Sequence, residues 1–293
     1  MAKILLTGAT GFLGSRIAHY LFNDFKVIVI KRKSSNTYRL KKISENLTFF
    51  NIEEISLADI FKNFKIDVII HCATNYGGQD VDSGNIYESN VYFPSQLLKL
   101  GIAQKSKLFI NVDTFYNANY GYLEQYSASK DAFRKILYDS QDKIKIINTK
   151  IGIVYGSGDN LNKFTVQTII KLLNNEPIIN FTLGEQKRHF VYVDDAAFAY
   201  KLILENLNAF KNGYTDIYIG NGVSTSIKSY VNIIFQITGS TSTLNFGSIP
   251  YRTNEIMNPI GNFELLKNLE WREHFTLTSG LIKTINYFKL LRK

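Results

Sequence analysis

The stretch Thr7-Gly8-Ala9-Thr10-Gly11-Phe12-Leu13-Gly14 decides the fold. Before it, KILLT (residues 3–7) is a short apolar run of strand character; after it, SRIAHYLF (residues 15–22) repeats its apolar residues at helical spacing. Each glycine between that strand and that helix has a task. Gly8 permits a tight turn, Gly11 lets the backbone approach a pyrophosphate, and Gly14 lets the helix pack closely on the strand. The helix N-terminus then offers unpaired N–H groups and the positive end of its dipole to an anion. Glycines alone mark only a turn, but this position is that of a dinucleotide-binding loop, with Thr10, Phe12 and Leu13 completing it.

Outward from the loop, strand and helix patterns alternate. KVIVIKR (26–32) and LTFFNI (47–52) read as strands, SLADIFKNF (56–64) as a helix and DVIIHCA (67–73) as a strand. IYESNVYFPSQLLKLGIA (86–103) reads as one helix, KLFINVD (107–113) as a strand, QYSASKDAFRKILYDS (125–140) as a helix and IKIINTKIGIVYG (144–156) as one strand. The alternation predicts an α/β fold with a doubly wound parallel sheet. Beyond residue 156 the rhythm loosens, with helices at TVQTIIKLLNN (165–175) and IKSYVNIIFQITG (227–239), a strand leading into a helix within FTLGEQKRHFVYVDDAAFAYKLILEN (181–206), and strands at YTDIYIGNG (214–222) and near STLNFGS (242–248). Two interleaved domains are expected. A dinucleotide-binding domain takes residues 1–156 plus about 190–222, and a smaller substrate-binding domain takes about 157–189 and 223–293, with the ligand site at the carboxyl ends of the strands.

Composition excludes several classes. The 293 residues are 45% hydrophobic and 20% charged, too apolar for a disordered chain. One cysteine, Cys72, forms no internal disulfide, and the few histidines lack metal-ligand spacing, so no metal is expected; His19, His189 and His274 are read as structural or surface residues. No apolar run reaches the roughly 18–20 residues that cross a bilayer, and MAKILLTGATGFLG has no cleavable apolar region, so a cytoplasmic location and no membrane partner are expected. The net charge of +9, from 34 Lys+Arg against 25 Asp+Glu, is that of a chain that binds polyanions or of one with a solubilising basic surface, and no basic stripe interleaved with aromatics points to nucleic acid.

Two clusters refine the chemistry. After the second strand, where an acidic residue holds the ribose of NAD, the chain has Lys31-Arg32-Lys33. Arg32 and Lys33 would pair with a 2′-phosphate, so NADP(H) is favoured and NAD(H) remains possible; such runs also occur as plain solvated loops. Tyr126-Ser127-Ala128-Ser129-Lys130 places Tyr126 and Lys130 on one helix face. A nearby ammonium favours phenolate over phenol, which poises a tyrosine as acid or base.

TGATGFLG, IIHCAT, SNVYFPSQLL, YSASK, KIGIVYGSGD, QKRHFVYVDDAAFAY, YRTNEI and LEW together resemble the extended short-chain dehydrogenase/reductase family over essentially the whole chain. LGEQKRHFVYVDDAAFAYKLILEN, YTDIYIGNG, FGSIPYRTNEIM and HCATNYGG are most similar to the nucleotide-sugar reductases that make CDP-abequose and CDP-paratose. The resemblance implies a Rossmann-type fold, with Tyr126 and Lys130 as the catalytic pair and cofactor contacts from Gly8, Thr10, Gly11, Phe12, Leu13, Gly14, Cys72, Ala73, Asn90, Tyr126, Lys130 and Ile153. The family's third catalytic hydroxyl falls on Val112; the nearest hydroxyl is Thr114, taken here as its replacement. Dehydratases of this fold follow that hydroxyl with Asp-Glu, whereas Val112-Asp113-Thr114 does not, which argues against dehydration. Arg188 and Arg252 match family arginines that clamp a nucleotide diphosphate, with salt bridges to surface carboxylates as the lesser alternative. Asn75 and Tyr76 are expected near the sugar, and Asn162, Lys163 and Phe164 on the nucleotide side.

The expected activity is NADPH-dependent reduction of a 4-keto-6-deoxy sugar carried on CDP, GDP or dTDP, as in surface-polysaccharide synthesis. A 4-epimerase or 4-dehydrogenase with tightly bound NAD(H), acting on a hexose or heptose, is the rival, and a catalytically inactive dinucleotide-sensing scaffold is the non-enzymatic one. The family also implies a homodimer through a four-helix bundle of the helices bearing Asn90 and Tyr126, with Tyr92, Phe93, Phe133 and Tyr138 as interface candidates or core residues.

Overall fold

A computed structural model of the protein describes residues 1–77, 83–115 and 123–292. In chain order its elements are β1 (Lys3–Thr7), α1 (Phe12–Leu21), β2 (Lys26–Lys31), β3 (Leu47–Asn51), α2 (Leu57–Asn63), β4 (Val68–His71), α3 (Ser83–Tyr87), α4 (Phe93–Ala103), β5 (Leu108–Thr114), α5 (Glu124–Tyr138), β6 (Lys145–Ile151), β7 (Ile153–Tyr155), α6 (Phe164–Leu173), β8 (Ile178–Phe181), β9 (Lys187–Tyr192), α7 (Val193–Glu205), β10 (Tyr214–Ile219), β11 (Ser224–Ser226), α8 (Ile227–Thr238), β12 (Thr243–Phe246), α9 (Glu264–Asn268) and α10 (Leu277–Leu290). They form two compact units. The first holds the described residues within Met1–Asn119, Leu123–Ile151 and Ala197–Tyr218, and the second those within Gly152–Ala196 and Ile219–Lys293.

In the first unit the described strands make a seven-stranded sheet in the order β10-β6-β5-β4-β1-β2-β3. The β1–β2, β1–β4, β2–β3, β4–β5 and β5–β6 pairs are parallel, which makes this the doubly wound sheet that the alternation predicts. Its inner strands are largely apolar because both faces are covered: Ile4, Leu5 and Leu6 are fully buried. Ile60 and Phe61 of α2, Leu97 and Leu98 of α4, and Phe133 and Leu137 of α5 pack with Leu5, Ile69, Phe109 and Ile146 of the sheet into one core cluster. The parallel order leaves the carboxyl ends of β1, β4 and β5 side by side, where loops can carry a site.

The second unit has two smaller sheets among the described residues, β11-β9-β7 and β12-β8. Ser226 caps α8 by accepting from the Ser229 N–H at 3.1 Å, and the helix stops at Gly239 in a left-handed conformation (φ 64°). Aromatic stacking fills this unit, with Phe190 on Tyr230 at 3.7 Å.

Three expectations change. The run 144–156 is two strands: β6 joins the large sheet, while β7 pairs with β9 in the second unit. The cause is Gly152, where a Cβ would lie 2.3 Å from the His189 carbonyl oxygen, so the backbones come too close for any side chain. The helix over 86–103 is interrupted by a π-helical turn, Glu88–Tyr92, that separates α3 from α4. Strand β8 carries no sequence signal, because exposed Ile178 and Asn180 alternate with buried Ile179 and Phe181 in only one short run.

Candidate active site

The glycine loop is built as its sequence demands. Gly8 has φ 71°, and a Cβ there would sit 2.6 Å from the Ala73 nitrogen, so the loop presses against the chain leaving β4. Gly14 is equally constrained, since its Cβ would fall 2.2 Å from the Gly8 oxygen. The Gly11 N–H donates to the Gly8 carbonyl at 3.0 Å, and Gly11 caps α1 with no side chain, leaving the helix terminus open to an anion. This cradle, which a single methyl would fill, fits a dinucleotide pyrophosphate; Thr10, Phe12 and Leu13 line it half-buried, while Gly11 is exposed.

The chain after β4 is tied to this loop. Thr7 Oγ1 meets His71 Nδ1 at 2.9 Å and accepts from the Ala73 N–H at 3.2 Å. His71 lies between Phe93 and Phe133, and burial holds its imidazole well below its usual range, so it is neutral and structural. Burial pushes the Cys72 thiol up to about 12, which leaves it protonated and inert; its environment nonetheless includes both the Gly14 N–H and Lys130.

On α5, Tyr126 and Lys130 are both buried, at 5% and 2% exposure. Lys130 Nζ donates to the Val112 carbonyl at 2.9 Å and sits 5.9 Å from the centre of the Tyr126 ring. Burial pulls the Lys130 ammonium below its usual range, opposed by the charge of Asp113. Tyr126 stacks on Tyr76, with ring centres 4.8 Å apart. Val112 therefore contributes its carbonyl, and buried Thr114 ends the strand with its N–H donated to Asp113 Oδ1 at 2.8 Å.

Asn90 lies in the π-helical turn and is fully committed. Its amide accepts from the Asn75 N–H at 2.8 Å, donates to the Asn75 carbonyl at 2.8 Å and donates to Ser129 Oγ at 2.9 Å. Ser129 in turn donates to the Tyr126 carbonyl at 2.7 Å. The π turn brings Asn90 to the loop that carries Asn75 and Tyr76, and joins that loop to α5. Beyond β2, Lys33 meets Glu54 at 3.3 Å, Lys31 donates to Asn51, and Arg32 is exposed.

The second unit holds the remaining candidates. Ile153 is half-buried on β7; Asn162, Lys163 and Phe164 are exposed at the start of α6. Arg188 is buried in an ion pair with Glu255 and also donates to the Lys187 and Ile256 carbonyls at 2.6 Å, so it fixes the segment bearing Arg252. Arg252 itself is exposed, and its carbonyl accepts from the Glu255 N–H. The two ring nitrogens of His189 face the carbonyl oxygens of Val223 and Pro259 at 3.2 and 3.1 Å, both of them acceptors only, which accounts for the residue structurally.

Residues 4–220 match the NAD dependent epimerase/dehydratase family. The chain belongs to that family. It is an NAD(P)-dependent enzyme, and the glycine cradle and the Tyr126–Lys130 pair lie within the matched residues. It is 35% identical to the CDP-abequose synthase of Salmonella muenchen over 97% of both chains, and 32% identical to the CDP-abequose synthase of Salmonella typhimurium over 95% of both. Its fold is that of UDP-glucuronic acid 4-epimerase from Bacillus cereus, solved with UDP-glucuronic acid and NAD (TM-score 0.82, 24% identity, 99% of both chains), and of UDP-glucose 4-epimerase from Thermotoga maritima (TM-score 0.82, 22% identity, 99% of this chain and 100% of that one).

Sequence reasoning missed a polar cluster beneath the Tyr-Lys pair. Asp113 Oδ2 accepts from Arg134 Nε and from Asn148 Nδ2, each at 2.8 Å; Asn148 also donates to Asp216, which Lys150 and Tyr214 contact at 2.8 and 3.0 Å. Its signal was present: Asn111 and Asp113, Asn148 and Lys150, and Tyr214 and Asp216 alternate on strands, and Arg134 follows Lys130 by one helical turn. Among the described residues no group of three His, Cys, Asp or Glu could hold a metal, and no helix is long and apolar enough to cross a membrane.

Proposed function

We propose that the protein is an NADPH-dependent reductase of a nucleoside-diphosphate 4-keto-6-deoxy sugar. The carrying observation is the buried Tyr126–Lys130 pair, with Lys130 held on the Val112 carbonyl at 2.9 Å, in a chain 35% identical to a CDP-abequose synthase. Gly8, Gly11, Gly14, Cys72 and Ala73 hold the dinucleotide in this reading, with Asn90 fixing the Asn75 loop beside them; Arg32 meets its 2′-phosphate and Lys130 its nicotinamide ribose. When bound, the dinucleotide supplies the hydride that reduces C4.

Tyr126 gives its phenolic proton to the C4 oxygen as that oxygen gains negative charge, and the hydroxyl of Thr114 donates a hydrogen bond to the same oxygen. Lys130, held on the Val112 carbonyl, keeps a positive charge beside the phenol and so favours the proton's departure. The Tyr76 ring stacked on Tyr126 covers one face of the phenol, and Asn75 beside it reaches the sugar. In the second unit, which serves as the substrate-binding part, Arg252 supplies the fork for the diphosphate while Arg188 holds its segment; Asn162, Lys163 and Phe164 take the nucleoside side. Asp113 is buried and accepts from Thr114, Arg134 and Asn148, which holds it as a structural carboxylate rather than as an acid presented for water elimination.

A cytoplasmic homodimer is part of this reading. Tyr92 (58% exposed) and Tyr138 (57%) are available on the Asn90 and Tyr126 helices, whereas Phe133 is buried in its own core and Phe93 packs against that core. The test is turnover with CDP-, GDP- and dTDP-linked 4-keto-6-deoxy sugars. One NADPH consumed per alcohol formed supports a reductase, and product formed without net NADPH oxidation assigns the epimerase reading instead.

A further inference from the structure

Asp113 sits between the two residues whose backbone or side chain the site uses, Val112 and Thr114, yet it is itself assigned to no ligand. It is 2% exposed and receives the Thr114 N–H, Arg134 Nε and Asn148 Nδ2, all at 2.8 Å. Arg134 is itself steadied by Asp131, three residues back on α5. Lys130, one helical turn before Arg134, donates to the carbonyl of Val112, the peptide unit that joins Val112 to Asp113. A buried ammonium needs a compensating charge, and a buried carboxylate needs its hydrogen bonds filled.

We infer that Asp113, clamped by Arg134 and Asn148, is a positioning residue of the Tyr126–Lys130 pair: on the residue next to the carbonyl that receives Lys130, and hydrogen-bonded to the Thr114 N–H, its carboxylate orders the end of β5 and sets a negative charge near the ammonium. This rests on the assignment of Tyr126 and Lys130 as the reacting pair. Arg134 and Asn148 aim the carboxylate so that its charge acts on Lys130 without the carboxylate entering the site. The groups facing the two residues are Arg134, Asp131 and Tyr126 on α5, His71 and Cys72 at the end of β4, Lys150 on β6, and Tyr214 and Asp216 on β10. Asp113 is the carboxylate among them whose charge raises Lys130, while Arg134 works against it more weakly.

The test is ¹⁵Nζ lysine NMR of the full-length protein, with the Lys130 signal assigned by K130M, in parent, D113N and D113N/R134Q. D113N is expected to lower the pH at which Lys130 loses its proton by about one unit, roughly tenfold, and to pull the alkaline limb of kcat down with it. The double variant leaves no unpaired buried charge, so it keeps the fold if D113N alone does not, and is expected to shift in the same direction by less. A Lys130 midpoint unchanged or raised in a folded variant overturns the inference. If neither variant folds, Asp113 is a folding residue and the inference is likewise overturned. The NMR readout needs no sugar: a Lys130 shift in a protein inert toward keto sugars refutes the reductase and retains the positioning role, and an active reductase without the shift does the reverse.

Discussion

Replacing Gly8 with alanine separates two costs that the fold imposes on one residue. At φ 71° any L-residue is held in the left-handed region, which costs about 1–2 kcal/mol. The added Cβ would also lie 2.6 Å from the Ala73 nitrogen and 2.7 Å from the Cys72 carbonyl carbon, both backbone atoms, against 3.4–4 Å for ordinary contact. The loop and the chain after β4 must therefore part by most of an ångström, and overpacking of that kind costs about 1–3 kcal/mol more. Two other glycines isolate the terms. Gly239 has φ 64° with nothing within 4 Å of its Cβ, so G239A incurs only the conformational cost of about 1–2 kcal/mol. Gly14 has no positive φ but meets the Gly8 oxygen at 2.2 Å, so G14A incurs the steric one. Urea unfolding followed by circular dichroism should rank G8A as the most destabilised, by about 2–5 kcal/mol in all. Calorimetric titration with NADP⁺ should show binding weakened at least tenfold in G8A and G14A and unchanged in G239A. Equal losses in G8A and G239A would refute the close-approach reasoning, and full dinucleotide affinity in G8A would remove the loop from the cofactor site.

Tyr126→Phe keeps the stacked ring and removes the proton donor, so keto-sugar turnover should fall by about 10²–10⁴ with unfolding little changed; assays at saturating NADPH check it. Arg32→Ala should reduce the preference for NADPH over NADH by about tenfold or more, whereas Lys33→Ala, whose cation already has Glu54, should change it less; kcat/KM for the two dinucleotides decides this. His71 is held neutral in the fold, so below its ordinary value of about 6.5 the unfolded chain takes up a proton that the folded one refuses. Its contribution to stability is therefore intact above that pH and falls by up to about 1.4 kcal/mol per unit as pH drops through the window down to its folded value. His71→Gln should flatten that part of the stability–pH curve.

The legible parts of this protein are those whose cause is local. The Gly8–Gly14 spacing requires a strand before it and a helix after it, and Tyr126 and Lys130 share a face because helix geometry puts them there. The strands of the large sheet announce themselves because both faces are buried and nearly every position is apolar. What stayed hidden depends on residues far apart in sequence. The break between β6 and β7 comes from the approach of Gly152 to the His189 carbonyl, and a Gly between two β-branched runs reads just as well as a strand interior. Asn90 was legible as a family position, but the π turn that aims it at Asn75 was not, since the sequence around it keeps helical spacing.

The Asp113 cluster shows why buried polar residues are harder to read than apolar ones. A Val or Ile on a strand needs only to be buried, and any apolar neighbour satisfies it; Asp113 needs specific donors, which come from 21 residues away at Arg134 and 35 at Asn148. The sequence shows polar residues at alternate strand positions, which on an exposed sheet face would be ordinary solvation. Only once β5 is known to be central, with β4 and β6 on either side, does an aspartate there demand partners. The same burial that makes the cluster costly unless satisfied keeps its charge from being screened by water, which is why the proposed positioning role falls on a carboxylate that the sequence alone presents as ordinary strand polarity.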